Sequence, residues 1–148
     1  MKTSTRFALL TLMVCAWSCG EITPVFDSNP NSLQKYLGVS IPKSVSDVHL
    51  AATFDGEIVV MQAKFRVSKD DFLKLISDLK MVKGGLINPG FSFKSQTPGD
   101  WWDPPDIKAQ IKIEDIYETG GKDESSAGDL VMLWLNGYAY VHKFGPLK

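Results

Sequence analysis

Cysteine and histidine are the residues that this chain of 148 nearly lacks, with two of each. Both cysteines, Cys15 and Cys19, come before residue 20, so the rest of the chain has no thiol for a disulfide or for a cysteine-ligated zinc. The histidines, His49 and His142, do not form the His-x-x-x-His pair of helical zinc sites. The sequence therefore predicts no metal site and no other cofactor.

An excess of basic residues is missing as well, because 16 Lys and Arg stand against 17 Asp and Glu, for a formal net charge of −1. Binding to nucleic acid needs clustered positive charge against the phosphates, so we predict no nucleic-acid partner. No apolar run approaches the roughly 20 residues of a membrane-spanning helix. What the chain has is an ordinary globular composition, with 44% hydrophobic and 22% charged residues.

The N-terminal residues have the three-part pattern of a secretory signal peptide. Lys2 and Arg6 supply positive charge, and residues 7–16 are apolar at all but one position. Small residues then occupy the outer positions of a cleavage site that ends at Ser18. We therefore predict that residues 1–18 are a signal peptide and that the protein is exported.

The end of this leader, Ala16-Trp17-Ser18-Cys19, resembles the lipobox of bacterial lipoproteins. The resemblance implies that Cys19 is lipidated and anchors the protein to a membrane, which accounts for a lone cysteine in an oxidising compartment. Gly20 replaces the aspartate that retains many lipoproteins at the inner membrane, which implies the outer membrane, facing the periplasm. The alternative is a plain secretory leader, because Ala-x-Ser also suits the ordinary signal peptidase.

The remainder divides into a tether and one domain. Residues 19–31 contain two prolines and no helical or strand period, which predicts a lipidated cysteine followed by a short tether. Residues 32–148 are few enough for a single globular domain. It begins with Leu33 and Tyr36 at helical spacing before Gly38, which predicts a two-turn helix.

The segment 48–67 consists of two strand-like runs joined by Asp55-Gly56, a cue for a two-residue type I′ hairpin. Closing the chain there places His49 opposite Gln62. Because side chains alternate along a strand, one face of this hairpin is almost entirely apolar and the other is polar.

A helix over residues 69–80 is predicted directly after the hairpin. Ser68 is a suitable N-cap, and four apolar residues recur with the period of one helix face: Phe72, Leu75, Ile76 and Leu79. We expect that face to pack on the apolar side of the hairpin, since both surfaces otherwise meet water.

Two later segments complete the predicted sheet. Residues 107–113 alternate between apolar and polar positions, which predicts a half-buried strand. Asn136-Gly137 joins the last two strands in a second type I′ hairpin. Residues 130–135 are apolar on both faces, so we expect this strand to be central and covered on both sides.

The sequence therefore predicts an α+β fold, with an antiparallel sheet of about five strands in the order ββαβββ. The main helix packs on one face, and a short N-terminal helix is added. The second face of the central strand then needs a cover, for which two candidates stay open: the N-terminal helix or the irregular segment 81–106.

Trp101 and Trp102, adjacent in that irregular segment, are the strongest candidates for a functional site. One interpretation is that they plug the uncovered sheet face. The other is that one of them faces outward to bind a partner protein or a sugar ring, since tryptophan is enriched at binding hot spots. Tyr138 and Tyr140 share a predicted strand face with His142 and complete the candidate partner-binding set.

The leading hypothesis is a lipid-anchored protein of the cell envelope with a binding or structural role, and no catalytic residue is assigned. Its partner would be an envelope protein or a glycan. One alternative is an envelope hydrolase that uses His142 with a nearby carboxylate as acid and base. Another is an inhibitor or immunity lipoprotein, which the sequence does not separate from the first hypothesis.

Overall fold

Two helices and one antiparallel sheet of seven strands make up the part of the chain that the computed structural model describes, residues 24–55, 58–83, 99–103, 116–119 and 130–146. The α+β class predicted from the sequence is confirmed. The strands are β1 (Val25–Asp27), β2 (Ser46–Asp55), β3 (Ile58–Arg66), β4 (Met81–Lys83), β5 (Ile116–Thr119), β6 (Leu130–Leu135) and β7 (Tyr138–Pro146), and the helices are α1 (Pro30–Leu37) and α2 (Lys69–Asp78). Across the sheet the strand order is β1-β2-β3-β7-β6-β5-β4.

The predicted number of about five strands is wrong, because the sheet has seven. The strands that the sequence did not reveal, β1, β4 and β5, have only three or four residues each, too few to display a period of two. β1 and β4 form the edges of the sheet, where short strands limit pairing with other chains.

β1 lies within the segment predicted to be a tether. The strand predicted over residues 107–113 lies outside the described residues.

The first hairpin is confirmed, with a different register. Asp55 pairs with Ile58, so the two connecting residues are Gly56 and Glu57, and His49 lies opposite Lys64 instead of Gln62. Glycine suits the first position of a type II′ turn as well as the second position of a type I′ turn, so the sequence cue permits either closure. A shift of two residues leaves every side chain on its predicted face, since side chains alternate with a period of two.

The second hairpin closes as predicted, with Leu135 paired to Tyr138 across Asn136 and Gly137. Both connecting residues have positive φ, 52° and 87°, which is the signature of a type I′ turn.

The end of α1 at Gly38 and the start of α2 after Ser68 are as predicted, whereas α1 begins at Pro30, inside the predicted tether, and α2 ends at Asp78, two residues before the predicted end. Asn29 caps α1, and Gly38 ends it in the left-handed conformation with its N–H donating to the Gln34 carbonyl. Ser68 caps α2 and accepts from the Asp71 N–H at 3.2 Å. The Asp71 carboxylate accepts from the Ser44 hydroxyl, which ties α2 to the turn before β2.

α1 and α2 pack on the same face of the sheet, which we call the helix face. The expected contact between α2 and the apolar side of the β2–β3 hairpin is confirmed. The buried cluster on this face includes, from the helices, Leu33, Tyr36, Leu37, Phe72, Leu75 and Ile76, and from the strands, Val48, Leu50, Ala52, Val59, Met61, Ala63, Phe65, Met132, Ala139 and Val141. α1 therefore does not cover the second face.

The opposite face, which we call the aromatic face, carries a smaller buried cluster. It consists of Trp102, Ile116, Val131, Leu133 and Tyr140, with Trp101, Leu135 and Tyr138 partly buried against it. β6 supplies alternate side chains to the two clusters, Leu130 and Met132 to one and Val131 and Leu133 to the other. This confirms the prediction that this strand is central and covered on both sides.

Candidate functional site

A tight turn over residues 99–103, which we call the tryptophan turn, covers part of the aromatic face. The Trp102 N–H donates to the Gly99 carbonyl at 3.0 Å. A Cβ on Gly99 would lie 2.9 Å from Nε1 of Trp101, so glycine allows the turn to close. Trp102 is 4% exposed, and its ring packs at an angle of 64° against Tyr140, with 5.9 Å between centroids. Of the two roles left open for the tryptophans, Trp102 therefore plugs the sheet face.

Asp103 fastens this turn to the sheet. Its Oδ1 atom accepts from Nζ of Lys64 at 2.6 Å and from the Tyr140 hydroxyl at 3.2 Å. Partial burial raises the pKa of Asp103, but the hydrogen bond and charge of Lys64 outweigh burial, and the pKa lies below its ordinary value. Burial and the Asp103 charge raise the pKa of Tyr140, so its hydroxyl remains a hydrogen-bond donor at physiological pH.

Trp101 is the tryptophan that meets solvent, although it is only partly exposed. Its ring stacks on His49, with 5.5 Å between centroids and 17° between the ring planes. It also meets Trp102 edge to face at 5.7 Å. One face of the Trp101 ring is therefore occupied by His49, whose own side chain is 40% exposed.

Asp47 organises a second group of polar side chains beside Trp101. Its carboxylate accepts from the Tyr138 hydroxyl at 2.9 Å and lies 3.1 Å from Nε2 of His49. The Tyr138 hydroxyl in turn accepts from Nη2 of Arg66 at 2.7 Å. The hydrogen bond from Tyr138 is the main cause that lowers the pKa of Asp47, so its carboxylate is ionised at physiological pH.

The backbone conformation at Asp47 orients this carboxylate. Asp47 has a φ of 50°, in the left-handed region, and the pairing of β2 with β3 shifts register between Ser46 and His49. Such irregularities reorient a side chain at the end of a strand, and aspartate tolerates the left-handed conformation better than most residues. The strand end is therefore shaped to present a charged group beside the aromatic rings.

Two cations flank the Tyr138 ring. Nζ of Lys64 lies 4.8 Å from the ring centroid, and Cζ of Arg66 lies 4.9 Å from it. Cations at this distance are attracted to the negative face of the ring. Lys64 is mostly buried, with 14% of its side chain exposed, whereas Arg66 is exposed. Arg66 is therefore the cation that this surface presents to solvent.

His142 lies farther along β7, in a row of paired residues that crosses the sheet from Gln62 through His142 and Val131 to Glu118. Gln62 and Glu118 are buried, and burial lowers the pKa of His142, so its imidazole is neutral at physiological pH. Val131 stands between His142 and Glu118, and two strand spacings separate their backbones by about 10 Å. The acid–base role of His142 stays a prediction.

The structure brings together all four residues of the predicted partner-binding set: Trp101, Trp102, Tyr138 and Tyr140. Cys19 lies outside the described residues, so its lipidation stays a prediction. The charged members of the site were missed: Asp47, Lys64, Arg66 and Asp103. The alternation of β3 places Lys64 and Arg66 on its polar face, but only the pairing of β3 with β7 puts that face beside the two tyrosines.

Within residues 24–55, 58–83, 99–103, 116–119 and 130–146, no group of three His, Cys, Asp or Glu side chains is placed to hold a metal ion. None of the helices in these ranges has the length and apolar character needed to cross a membrane. A surface cavity of about 490 Å³ lies beside the end of α1, on the helix side of the sheet, and is lined by Asn31, Gln34, Lys35, Gly38, Val39 and Ser40.

The described architecture is thus an α+β domain whose antiparallel sheet carries both helices on one face and a cluster of aromatic and charged side chains on the other. Comparison of the chain with protein-family models, with curated proteins and with solved structures finds no match. Function is therefore inferred from the N-terminal sequence and from the geometry of the aromatic face.

Proposed function

We propose that this protein is exported, is held at the outer membrane by a lipid on Cys19, and binds another protein of the cell envelope through its aromatic face. The lipid anchor is supported by the lipobox-like residues 16–19. The binding role is supported by one observation above all, the joined network in which Trp101, His49, Asp47, Tyr138 and Arg66 meet solvent together.

The composition of this network favours a protein partner. Trp, Tyr and Arg are the residues most enriched among binding hot spots, and all three occur here within one surface. The Tyr138 hydroxyl is held between Arg66 and Asp47, so these side chains lose little conformational freedom when a partner binds.

A glycan partner is the weaker choice for the same site. Sugar rings are commonly bound on an open aromatic face, and one face of Trp101 is already stacked on His49. The exposed charges of Asp47, Arg66 and Asp103 instead offer groups that a partner of complementary charge recognises.

Site-specific photocrosslinking in cells tests the binding role. A photoreactive amino acid replaces Asp100, an exposed neighbour of Trp101, and in a matched chain it replaces Leu73, an exposed residue of α2 on the other side of the sheet. We expect a discrete protein adduct from position 100 and none of that mass from position 73. Adding Trp101→Ala to the first chain should weaken the interaction by about 30-fold, the hot-spot scale, and remove the adduct.

Two outcomes of this experiment would contradict the binding of a protein through the aromatic face. An adduct of the same mass from both positions, or one that survives Trp101→Ala, means that the aromatic face is not the binding surface. No adduct from position 100, together with cosedimentation of the protein with purified peptidoglycan that Trp101→Ala abolishes, means that the partner is a glycan.

Fractionation of cells tests the anchor. We expect Cys19→Ser to move the protein from the membrane fraction to the soluble fraction, because several acyl chains bind a membrane stably and their loss leaves no comparable attachment. Cys15→Ser, which makes the same change inside the leader and leaves Cys19 and the lipobox-like residues intact, is the control. If the unaltered protein is already soluble after cell breakage, the plain secretory leader is the correct interpretation.

A further inference from the structure

Exposed apolar side chains are concentrated at one end of the sheet. The described part of the chain exposes seven large hydrophobic side chains, and five of them lie at this end. We call these five the apolar end: Val25, Phe26, Phe54, Ile58 and Phe144. Phe26 is 57% exposed and Phe144 is 55% exposed, which is unusual for phenylalanine.

Strand pairing puts three of these side chains on one face of the sheet. Phe26 pairs with Ala51, Phe144 pairs with Val60, and Ile58 pairs with Pro146. Because paired residues share a face, Phe26, Ile58 and Phe144 all project on the side of the aromatic face. Ile58 and Phe144 lie where β2 ends and β3 begins, and Phe26 lies opposite the middle of β2. The Asp47 network lies where β2 begins and β3 ends.

The path of the chain places this end next to the proposed anchor. β1 begins at Val25, six residues after Cys19. A fully extended segment of that length reaches about 20 Å at most. If Cys19 carries lipid in the membrane, the first residue of β1 cannot lie farther than that from the lipid surface.

We propose that the apolar end rests on the lipid surface of the membrane that holds the Cys19 anchor, with its phenylalanine side chains in the interfacial region. This inference rests on the lipid anchor of the proposed function. Apolar and aromatic side chains bind at membrane interfaces by burying 5–10 Å into the boundary between headgroups and acyl chains. The short tether keeps the apolar end at a high effective concentration near the bilayer, so a small apolar area suffices.

The same contact orients the candidate binding site. Asp55 lies eight positions after Asp47 in β2, which is a distance of about 26 Å along an extended strand. With the apolar end on the membrane, the network of Trp101, Tyr138 and Arg66 lies at the far end of the domain. It then faces the periplasm, where a protein partner has access to it.

Spin labels on the full-length, acylated protein test this contact. The protein is reconstituted through its own anchor into vesicles of phosphatidylcholine, and a nitroxide is attached to a cysteine in place of Phe144. The control label replaces Ser46, which is exposed at the start of β2 and pairs with Arg66, at the end of the sheet away from Phe144. Collision with oxygen reports lipid around a label, and collision with a soluble nickel chelate reports water.

We expect the nickel collision rate to be severalfold lower at position 144 than at position 46, and the oxygen collision rate to be higher. High salt should leave both rates unchanged, because the proposed contact is apolar and the vesicles are uncharged. A label in place of Ile58 repeats the measurement in a second chain, so that a folding defect of one variant does not decide the result.

Three results overturn the proposal. Equal nickel collision rates at positions 144 and 46, in protein that floats with the vesicles, mean that the anchor is present but the apolar end does not touch the membrane. Low collision rates with both reagents at position 144 mean that protein covers the apolar end, as in a pair of chains joined there. If the protein does not float with the vesicles, it has no lipid anchor, and the proposed membrane contact, which rests on that anchor, is wrong as well.

Discussion

The two faces of the sheet are held by different physical means. The helix face is covered by two helices and buries one continuous apolar cluster that extends from β2 to β4. The described cover of the aromatic face is a turn of five residues with one buried tryptophan, fastened by Asp103 to Lys64 and Tyr140. Apolar burial has no preferred direction, whereas a hydrogen bond or ion pair fixes both distance and angle.

The two faces therefore contribute differently to stability and to recognition. The helix face supplies most of the buried apolar area and leaves few polar groups near it. The aromatic face supplies less burial, but it holds charged groups in fixed positions at the surface. A rigid core on one side thus supports a polar and aromatic surface on the other.

Truncating the helix face should have the largest effect on stability. We expect Phe72→Ala to lower the free energy of unfolding by about 3–5 kcal/mol, because a fully buried phenylalanine leaves a cavity that the sheet and helix cannot fill. Chemical denaturation measures the change. Leu73→Ala, one residue away and exposed, is the matched control and should stay within about 0.5 kcal/mol.

Truncating the buried tryptophan tests the smaller cluster on the other face. We expect Trp102→Ala to lower the free energy of unfolding by about 3 kcal/mol, the lower end of the range for this change, because fewer buried side chains surround it. We expect Trp101→Ala, which removes mainly the stacking on His49, to lower the free energy of unfolding by about 1 kcal/mol. Two equally large losses would place both tryptophans in the core, and the binding role of this turn would have to be abandoned.

The stability of the β6–β7 hairpin, whose strands contribute to both faces, should be sensitive to backbone strain in its turn. We expect Gly137→Val to lower the free energy of unfolding by about 1–3 kcal/mol, because a β-branched residue is strained at a φ of 87° and no side-chain contact is lost. Ser40→Val, at an exposed position of the segment after α1, is the comparison. A loss of the same size at both positions would contradict the type I′ turn.

Removing the ion pair between Asp103 and Lys64, which attaches the tryptophan turn to the sheet, should have the smallest effect on stability. Among these four changes, its effect alone should depend on pH. The pKa of Asp103 is lowered in the folded state, so its stabilising contribution is complete above the unfolded value of about 3.9 and is lost as the pH falls through the folded value. We expect Asp103→Asn to lower the free energy of unfolding at neutral pH by less than about 1 kcal/mol, since the carboxylate is largely exposed.

Denaturation curves recorded at several pH values check this expectation. The difference between the unaltered chain and Asp103→Asn should shrink as the pH falls below about 4, because the carboxyl group is then neutral in both. Asp100→Asn, which removes a charge from an exposed position of the same turn and leaves Asp103 in place, is the control. A difference that persists at low pH would mean that Asp103 acts through packing and not through its charge.

Local patterns predicted much of the fold. The Ser68 cap and apolar stripe of α2, the Gly38 end of α1 and the Asn136-Gly137 turn each lie within a few residues of chain, and the structure has all of them. The short strands β1, β4 and β5 were missed, because three or four residues are defined by their pairing partners and not by their own pattern.

The candidate site was predicted only in part, for the same reason. Trp101 and Trp102 are conspicuous in the sequence, but nothing local indicates that Asp103 reaches Lys64 across 39 positions or that Tyr138 reaches Asp47 across 91. Charged residues on the polar face of a strand are common, so Lys64 and Arg66 gain meaning only through the strand beside them.

The sequence by itself determined the α+β class, the two helices with the Gly38 end of one and the Ser68 cap of the other, the two long hairpins and the buried side of the first of them. It did so because helix and strand periods, caps and turns are set by steric and hydrogen-bonding rules over a few residues. Only the tertiary structure decided the number and order of the strands, the register of the first hairpin and which segment covers each face. These depend on contacts between residues far apart in the chain, where the free energy of burying a whole face selects one arrangement among several that the local patterns allow.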